Sequence, residues 1–215
     1  MASSSLPARL WSRVFAAGYD KAMEKTESHG NAERRARLLA QARGTVVELG
    51  AGTGLNLPHY PADVELVLTE PEEPMARRLE DRLRSLGRSG RVLRAPAEAL
   101  PLADASADTV VCTLVLCTVD DLGAALTEIR RVLRPEGTLV FLEHVAARQG
   151  SGLRRAQDVI HRPWHAFAAG CHDNRETEAA IRAAGFDIEE IEHGRLEAAA
   201  PPIRPLIAGR ARLAA

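Results

Sequence analysis

One short glycine-rich segment has the residue types and spacing that most strongly indicate chemistry. An apolar run leads into Glu48, and Gly50, Gly52 and Gly54 follow. Glycine lets backbone N–H groups approach a ligand that a Cβ atom would block. A carboxylate repels phosphate, so Glu48 favours a ligand with a cationic amino-acid end over a diphosphate. The dinucleotide fingerprint also needs its third glycine at position 55, which is Leu55. The motif alone still leaves a dinucleotide site and an unliganded turn as alternatives.

A second acid, Glu70, ends the next predicted strand. An acid in this position can accept hydrogen bonds from both ribose hydroxyls of an adenosine. We therefore predict that Glu70 and the adjoining Pro71 contribute to a ribose site. The alternative is that Glu70 is a surface acid in an acidic turn.

Two further segments match a known pattern. Residues 94–108 read RAPAEALPLADASAD and residues 133–139 read LRPEGTL. With the E-x-G-x-G-x-G motif, they resemble class I S-adenosylmethionine (SAM) methyltransferases, an α/β family with a Rossmann-like sheet. In that family the loop after the third strand packs against adenine, a place that Ala97 and Glu98 would take. Pro96 stands where the family more often has Asp, and Glu136 replaces the first glycine of the later turn.

The resemblance implies a full SAM site. Glu48 would hold the amino group of the methionine moiety, directly or through water, and Thr113 and Leu114 would face the methyl group. The residues assigned to the cofactor are Glu48, Gly50, Ala51, Gly52, Thr53, Gly54, Asn56, Glu70, Pro71, Ala97, Glu98, Thr113 and Leu114. Tyr19, in a segment that resembles F-x-x-x-Y-D, would close over the cofactor. A helix-packing role for Tyr19 is the alternative.

A closer resemblance covers about residues 44–213. It is carried by VCTLVLC (111–117), EHV (143–145), PW (163–164), GC (170–171) and RET (175–177). These segments are similar to those of the methyltransferase-like thiol S-methyltransferases of vertebrates and their bacterial relatives, which implies a small thiol as acceptor. The vertebrate proteins begin with a hydrophobic membrane anchor, whereas we expect no transmembrane anchor here. His165 and His172 stand where the family pattern has other residues.

The segment after the predicted fifth strand could contact the acceptor. We predict that Trp164 and His172 line a substrate pocket and that His165 lies near the reaction. A surface segment with one anchoring Trp is the alternative. His161, His165, Cys171 and His172 are also zinc-ligand types, but their spacing matches no familiar zinc motif, so we predict no metal site.

His144 lies near the carboxyl end of the predicted fifth strand, at the edge where ligands bind in such sheets. A neutral imidazole there could accept a proton from a thiol or hydroxyl near pH 7. A histidine that only hydrogen-bonds the cap is an equal alternative. Glu143 should point to the opposite face, because strand side chains alternate. We interpret Cys112 and Cys117 as buried packing, because no base neighbours them in sequence.

Composition limits the class of protein and its partners. The chain has 215 residues, enough for one domain with a full core, and its net charge of −1 gives no field that would recruit nucleic acid. Three cysteines, an odd number, and the absence of a secretory leader predict a reducing cytoplasm. No stretch is long and apolar enough to span a membrane. The composition leaves the oligomeric state open.

Hydrophobic periodicity predicts the elements that hold these residues. Residues 1–43 form an N-terminal helical segment broken at residues 29–31. From residue 44, strands and helices alternate, which predicts a methyltransferase domain (44–215) with helices on both faces of a mostly parallel sheet. A cap interrupts the alternation at about 146–173. A helix from Asn174 to Gly185 and two late strands, 186–192 and 203–213, would complete seven strands.

The predicted reaction is SAM-dependent methyl transfer to a small-molecule acceptor, most simply a thiol, by in-line displacement. The sulfonium is an activated donor, so the protein mainly supplies alignment and excludes water. One alternative is C- or O-methylation of a quinol, phenol or other natural-product intermediate. A non-catalytic SAM-binding protein and a nicotinamide-dependent reductase are further alternatives, and Leu55 and the Leu100-Pro101 segment disfavour the reductase.

Overall fold

The computed structural model describes residues 6–168 and 170–214, without the side chains of residues 6–12 and 15. Its strands are β1 (Thr45–Leu49), β2 (Glu65–Thr69), β3 (Arg91–Leu93), β4 (Ala107–Thr113), β5 (Leu133–His144), β6 (Phe186–Arg195) and β7 (Pro205–Leu213). They form one sheet in the order β3-β2-β1-β4-β5-β7-β6. The first five strands pair in parallel, and β7 is antiparallel to both of its neighbours. The predicted seven-stranded Rossmann-like α/β fold is confirmed.

The helices follow the predicted alternation. They are α1 (Leu6–Thr26), α2 (Ala32–Leu39), α3 (Glu73–Ser85), α4 (Leu122–Val132), α5 (Gly152–Phe167) and α6 (Thr177–Ala183), with short 3-10 turns at Leu57–His59 and Pro201–Ile203. A π-helical turn, Glu27–Asn31, joins α1 to α2 and bends where Gly30 has a φ of 100°. No helix in the described parts of the chain is long and apolar enough to cross a membrane.

The sheet is buried on both faces, as a central parallel sheet requires. Val46 and Val110 are fully buried on adjacent strands and belong to different apolar clusters, one on each face of the sheet. Because β1, β2, β4 and β5 run in the same direction, their carboxyl ends meet at one edge. The segments that follow these strands therefore lie together, whatever their distance in sequence.

One predicted helix start is corrected, and the segment predicted as an irregular or helical cap is seen to contain a helix. The helix expected from Asn174 begins instead at Thr177, because the Asn174 side chain donates a hydrogen bond to Asp158 of α5 (2.9 Å) and does not cap the helix. The cap expected at about 146–173 contains one ordered helix, α5. The side chain of Ser151 caps α5 by accepting a hydrogen bond from the Arg154 N–H.

Candidate cofactor and acceptor sites

The glycine loop after β1 has the backbone conformation that its sequence predicts. Gly50 and Gly52 have φ angles of 56° and 58°, in the left-handed region that favours glycine. A Cβ atom on Gly50 would lie 2.3 Å from Cγ2 of Val115, whereas one on Gly52 would meet nothing closer than 4.0 Å. Gly50 thus allows close packing against the segment after β4, and Gly52 borders open space in which a ligand can approach the backbone.

Glu70, at the end of β2, is held against this loop. Its Oε2 accepts a hydrogen bond from the Gly52 N–H and its Oε1 one from the Glu72 N–H, each at 2.9 Å. Burial raises the pKa of Glu70, although both backbone bonds lower it. Each carboxylate oxygen has a second lone pair, so Glu70 retains the capacity to accept ribose hydroxyls.

Glu48 is buried inside a side-chain network. Asn56 Nδ2 donates to its Oε1 (2.8 Å), and the Tyr60 hydroxyl donates to its Oε2 (2.7 Å). Burial raises the pKa of Glu48 to about 7, against the opposing effect of these two bonds and of Arg35. The predicted cofactor residue is therefore a carboxyl group whose charge depends on its surroundings near neutral pH.

Arg35 of α2 is a site residue that the sequence analysis missed. Its Nη1 donates to Asn56 Oδ1 (2.7 Å) and to Thr113 Oγ1 (3.0 Å), and its Nε pairs with Glu27 (3.1 Å). The guanidinium is almost fully buried. A signal was available: Arg35 is on the same helical face as Leu38, so it occupies the buried side of α2.

A pocket at this edge contains both charges. It is lined by Tyr19, Arg35, Glu48, Gly50, Ala51, Gly52, Thr53, Leu55, Asn56 and Thr113. A buried carboxyl and a buried guanidinium in one pocket complement a zwitterion, such as the ammonium and carboxylate of a methionine moiety. Tyr19 also lines this pocket, and burial raises its pKa to about 12. Its closure over the cofactor stays a prediction. The Thr53 hydroxyl donates a hydrogen bond to Asp20 at 2.5 Å, which connects the glycine loop to α1.

The predicted adenine segment has fewer polar groups available. Ala97 is buried, and the Glu98 carboxylate accepts the N–H of Asp120 (2.8 Å), which connects it to the segment before α4. Pro71 is exposed, and its carbonyl oxygen accepts a hydrogen bond from Arg94 (2.7 Å). Their adenosine contacts therefore stay predictions.

The turn after β4 contains a residue with a strained backbone and is held by hydrogen bonds to a buried glutamate. Leu114 has a φ of 56°, which is unusual for a residue with a Cβ and typical of functional sites. Glu143 is fully buried, and its Oε1 accepts the N–H groups of Val115 and Leu116, each at 3.0 Å. Burial raises the pKa of Glu143 to about 7. Glu143 therefore positions the turn that carries Leu114, a role that the sequence analysis did not assign.

The carboxyl end of β5 and the cap bring together a cluster of soft ligand atoms. We call this part of the sheet edge the acceptor side. His144 Nε2 lies 3.1 Å from Cys171 Sγ, and the Trp164 indole N–H donates to the same sulfur at 3.2 Å. Cys117 completes the group: one ligand atom each from Cys117, His144 and Cys171 lie within 4.8 Å of one another. Cys117 is buried, as the sequence predicted, and the fold also brings a histidine beside it from another strand.

The donors around Cys171 stabilise its thiolate. Hydrogen bonds from Cys117, His144 and Trp164 hold the pKa of Cys171 well below its ordinary value, although burial opposes them. His144 is itself buried, and its Nδ1 has no hydrogen-bond partner among the described residues. His144 therefore has its Nε2 directed at a protein sulfur, and its role as a free general base stays a prediction.

The cap histidines lie together beside this cluster. The rings of His165 and His172 are 4.6 Å apart edge to face, and His161 is 5.2 Å from His172. His161 Nδ1 pairs with buried Asp173 (3.1 Å), and burial lowers the pKa of His172. The four residues that the sequence suggested as zinc-ligand types therefore do not form one group. Cys171 faces His144, whereas His161, His165 and His172 lie together. Substrate contacts of Trp164, His165 and His172 stay predictions.

A family model matches the core of the chain. The methyltransferase domain family is matched over residues 47–141, from β1 to β5. The matched segment includes the glycine loop, Glu70 and the strained turn after β4. It excludes α2, which supplies Arg35, and the cap that contains Cys171.

Curated relatives extend the match into the cap. The chain is 36% identical over 170 residues to the thiol S-methyltransferase TMT1B of Rattus norvegicus, covering 78% of this chain and 70% of the relative. It is 34% identical over 170 residues to the human (Homo sapiens) thiol S-methyltransferase TMT1A, with the same coverage. A solved structure of a SAM-dependent methyltransferase from Thermotoga maritima superposes with a TM-score of 0.67 at 24% identity, covering 94% of this chain and 97% of that one.

Proposed function

This chain belongs to the SAM-dependent methyltransferases, in the family that includes the thiol S-methyltransferases, and we propose that it transfers a methyl group to a small thiol. SAM is its cofactor. The observation that supports the thiol most directly is the 36% identity to a thiol S-methyltransferase across 70% of that relative's length. C- or O-methylation of a quinol or phenol is the alternative.

The lining of the cofactor pocket complements SAM in charge. Glu48 would hold the ammonium of the methionine moiety and Arg35 its carboxylate, since both charged groups line one pocket. Gly52 borders open space where a Cβ would otherwise stand, and Glu70 would accept the ribose hydroxyls. Ala97 and the backbone of Glu98 would bracket adenine.

The residues around the reacting atoms align and desolvate them. When bound, SAM supplies a methyl group already activated by a sulfonium. Glu143 accepts the N–H groups of Val115 and Leu116 in the turn after β4, and this would hold Leu114 and Thr113 for contact with the methionine end. Tyr19 lines the pocket from α1 and would help to exclude water.

The acceptor side suits a soft, weakly polar nucleophile. Sulfur, imidazole and indole groups meet there, with Cys171, His144 and Trp164 within hydrogen-bonding distance. Such polarizable groups favour sulfur over a strongly hydrated acidic acceptor. The three cysteines of the chain are free, which is consistent with a reducing compartment, and we infer a cytoplasmic location.

A methyl-transfer screen tests the proposal. Purified protein with isotopically labelled SAM would be offered thiophenol, an alkyl thiol, phenol, a quinol and an amine of similar size. We expect labelled thioether from the thiols, identified by mass spectrometry. Phenol provides the matched control, because it differs from thiophenol in one atom. Labelled ether or C-methyl product, with every thiol inert, would reject the thiol while leaving the methyltransferase family assignment intact.

A further inference from the structure

We propose that Cys117, His144 and Cys171 bind one zinc ion and that the acceptor thiol occupies its fourth coordination position. The binding of zinc stands on the arrangement of these three residues. The second part rests on the proposed function, because it names the thiol as the fourth ligand. Nothing in the pattern of the sequence joins these residues, which come from the segment after β4, the end of β5 and the segment after α5.

The donor set matches a catalytic zinc site. Two cysteine sulfurs and one imidazole nitrogen form a Cys2His set, which in zinc enzymes leaves a fourth position open for water or substrate. All three residues are buried, with exposures of 2% for Cys117, 4% for His144 and 7% for Cys171. Because these residues are shielded from bulk water, few other ligands can compete with them for a bound soft cation.

The distances fit the same coordination. Zinc–sulfur bonds of about 2.3 Å and zinc–nitrogen bonds of about 2.1 Å place tetrahedral ligand atoms roughly 3.5–3.8 Å apart. His144 Nε2 and Cys171 Sγ are 3.1 Å apart, and all three ligand atoms lie within 4.8 Å of one another. Side-chain adjustments of about 1 Å or less would therefore bring the three atoms to these coordination distances.

A supporting contact outside the ligand set has the form that metal sites use. The Trp164 indole N–H donates to Cys171 Sγ at 3.2 Å. Groups that hydrogen-bond a metal ligand orient it and tune its charge. Cys112 provides a comparison within the same chain. It is fully buried in the apolar cluster around β4 and does not belong to the cysteine–histidine group.

The cluster lies beside the cofactor pocket. Thr113 lines that pocket, and Cys117 follows it by four residues in the segment after β4. Its chain segment also continues directly from Thr113 and Leu114.

Zinc in this position would supply the activation that a thiol acceptor needs. A thiol that coordinates zinc is deprotonated, and its proton passes to solvent. The thiolate sulfur then forms a bond to the methyl carbon as the bond from that carbon to the sulfonium sulfur breaks. The products are a neutral thioether, which is a weaker ligand than the thiolate and leaves, and S-adenosylhomocysteine.

Cobalt substitution gives a direct test of the ligand set. The full-length protein would be reduced, stripped of metal with a chelator and titrated with Co²⁺, then with Zn²⁺. We expect saturation at one ion per chain with a thiolate-to-cobalt charge-transfer band that Zn²⁺ removes. Cys117→Ser and Cys171→Ser should each weaken Co²⁺ binding at least tenfold, whereas Cys112→Ser should retain the band. The absence of the band in fully reduced wild-type protein would overturn the proposal.

A second measurement uses only wild-type protein, so it tests the site even if the cysteine variants fail to fold. Iodoacetamide labelling of wild-type protein, followed by mass spectrometry, reports each cysteine separately. We expect Zn²⁺ to slow alkylation of Cys117 and Cys171 at least tenfold and to leave Cys112 unaffected. Equal labelling with and without Zn²⁺, or a Cys117–Cys171 disulfide that prevents Co²⁺ binding in the same reducing buffer, would count against the site.

The fourth ligand is tested with thiophenol and phenol on the cobalt-loaded protein in the presence of S-adenosylhomocysteine. Thiophenol should strengthen the charge-transfer band, and phenol should not. Metal-free enzyme that methylates thiophenol at the zinc-loaded rate would overturn the metal role and leave the proposed function intact. A bound metal with no thiol methylated under any condition would instead reject the proposed function and keep the site.

Discussion

The cofactor side and the acceptor side of the same sheet edge are built in different ways. On the cofactor side, Glu48, Asn56 and Glu70 are motif residues whose polar atoms are engaged by near neighbours in the fold. On the acceptor side, His144 and Cys171 belong to no common motif and meet only in the fold, and His144 Nδ1 lacks a partner among the described residues. The cofactor side is thus largely complete without a ligand, whereas the acceptor side retains unused polar capacity.

This difference teaches where substrate specificity can change. Every member of a SAM-dependent family must bind the same cofactor, so the same short motif can serve all of them. The acceptor differs between enzymes, and its contacts come from the cap and from strand ends that only the fold brings together. Substitutions on the two sides should therefore separate cofactor affinity and stability from turnover.

The largest effect is expected on the cofactor side, from Arg35→Ala. This change removes a buried cation that bonds Glu27, Asn56 and Thr113 and leaves the buried Asn56 Oδ1 without its donor, which should lower the free energy of unfolding by about 3–5 kcal/mol. Arg34→Ala is the matched control on the same helix. Arg34 pairs with half-exposed Glu192, so its loss should cost about 0–1 kcal/mol. Urea denaturation measures both, and similar losses would show that the buried network contributes little.

On the acceptor side, His144→Ala should lower turnover without affecting cofactor binding. We expect the rate of thiol methylation to fall by about 10²-fold, because a group that promotes proton loss typically contributes that much. The fall should be steepest for thiols of high pKa, which ionise least unaided. Steady-state rates for a thiol series measure this, with calorimetry for SAM affinity.

The control for this variant is His193→Ala. His193 is exposed on β6 and pairs with Glu178 of α6, and neither residue belongs to the cofactor pocket or to the cysteine–histidine cluster, so its loss should leave both readouts unchanged. A large loss of SAM affinity in His144→Ala would contradict the separation between the two sides.

Glu70→Ala should weaken SAM and S-adenosylhomocysteine binding at least about tenfold, which is about 1.4 kcal/mol. The change removes the acceptor of the Gly52 N–H and the predicted acceptor of the ribose hydroxyls. Glu72→Ala, in the same acidic turn and exposed, should change affinity little. Calorimetry on both variants is the measurement, and equal effects would mean that Glu70 does not bind the ribose.

The smallest effect is a pH dependence of SAM affinity that originates in Glu48. Its pKa of about 7 lies above its ordinary value of 4.5, so the carboxyl gains its charge as pH rises toward neutrality. A charged acceptor is worth about 1 kcal/mol more than a neutral one to the ligand ammonium, so affinity should rise roughly fivefold from pH 5 to 8. Without cofactor the sign reverses: the stability that the protonated group contributes is lost as pH rises through about 7.

Calorimetry across this pH range, in wild type and in Glu48→Gln, checks the assignment. The variant should flatten the profile. Glu143→Gln, which alters a buried glutamate outside the cofactor pocket, should leave the slope in place. A slope that persists in Glu48→Gln would assign the dependence to another group.

Local sequence determined much of the cofactor side. The glycine spacing required left-handed backbone at Gly50 and Gly52, and the alternation of strands and helices placed Glu48 and Glu70 at one sheet edge. These predictions succeeded because backbone sterics and hydrophobic periodicity act over a few residues. Helix starts were less predictable, as at Thr177, because Asn174 bonds to α5 instead of capping α6.

Tertiary structure decided the remaining site residues. Arg35 joins the cofactor pocket only because α2 packs on the sheet, and Cys117, His144 and Cys171 meet only because β4 and β5 are neighbours with the cap folded over their ends. No local pattern encodes such contacts, since each depends on how distant segments bury their apolar faces. The sequence by itself therefore specified the sheet and the cofactor motif, and only the packed chain specified which polar groups share a buried site.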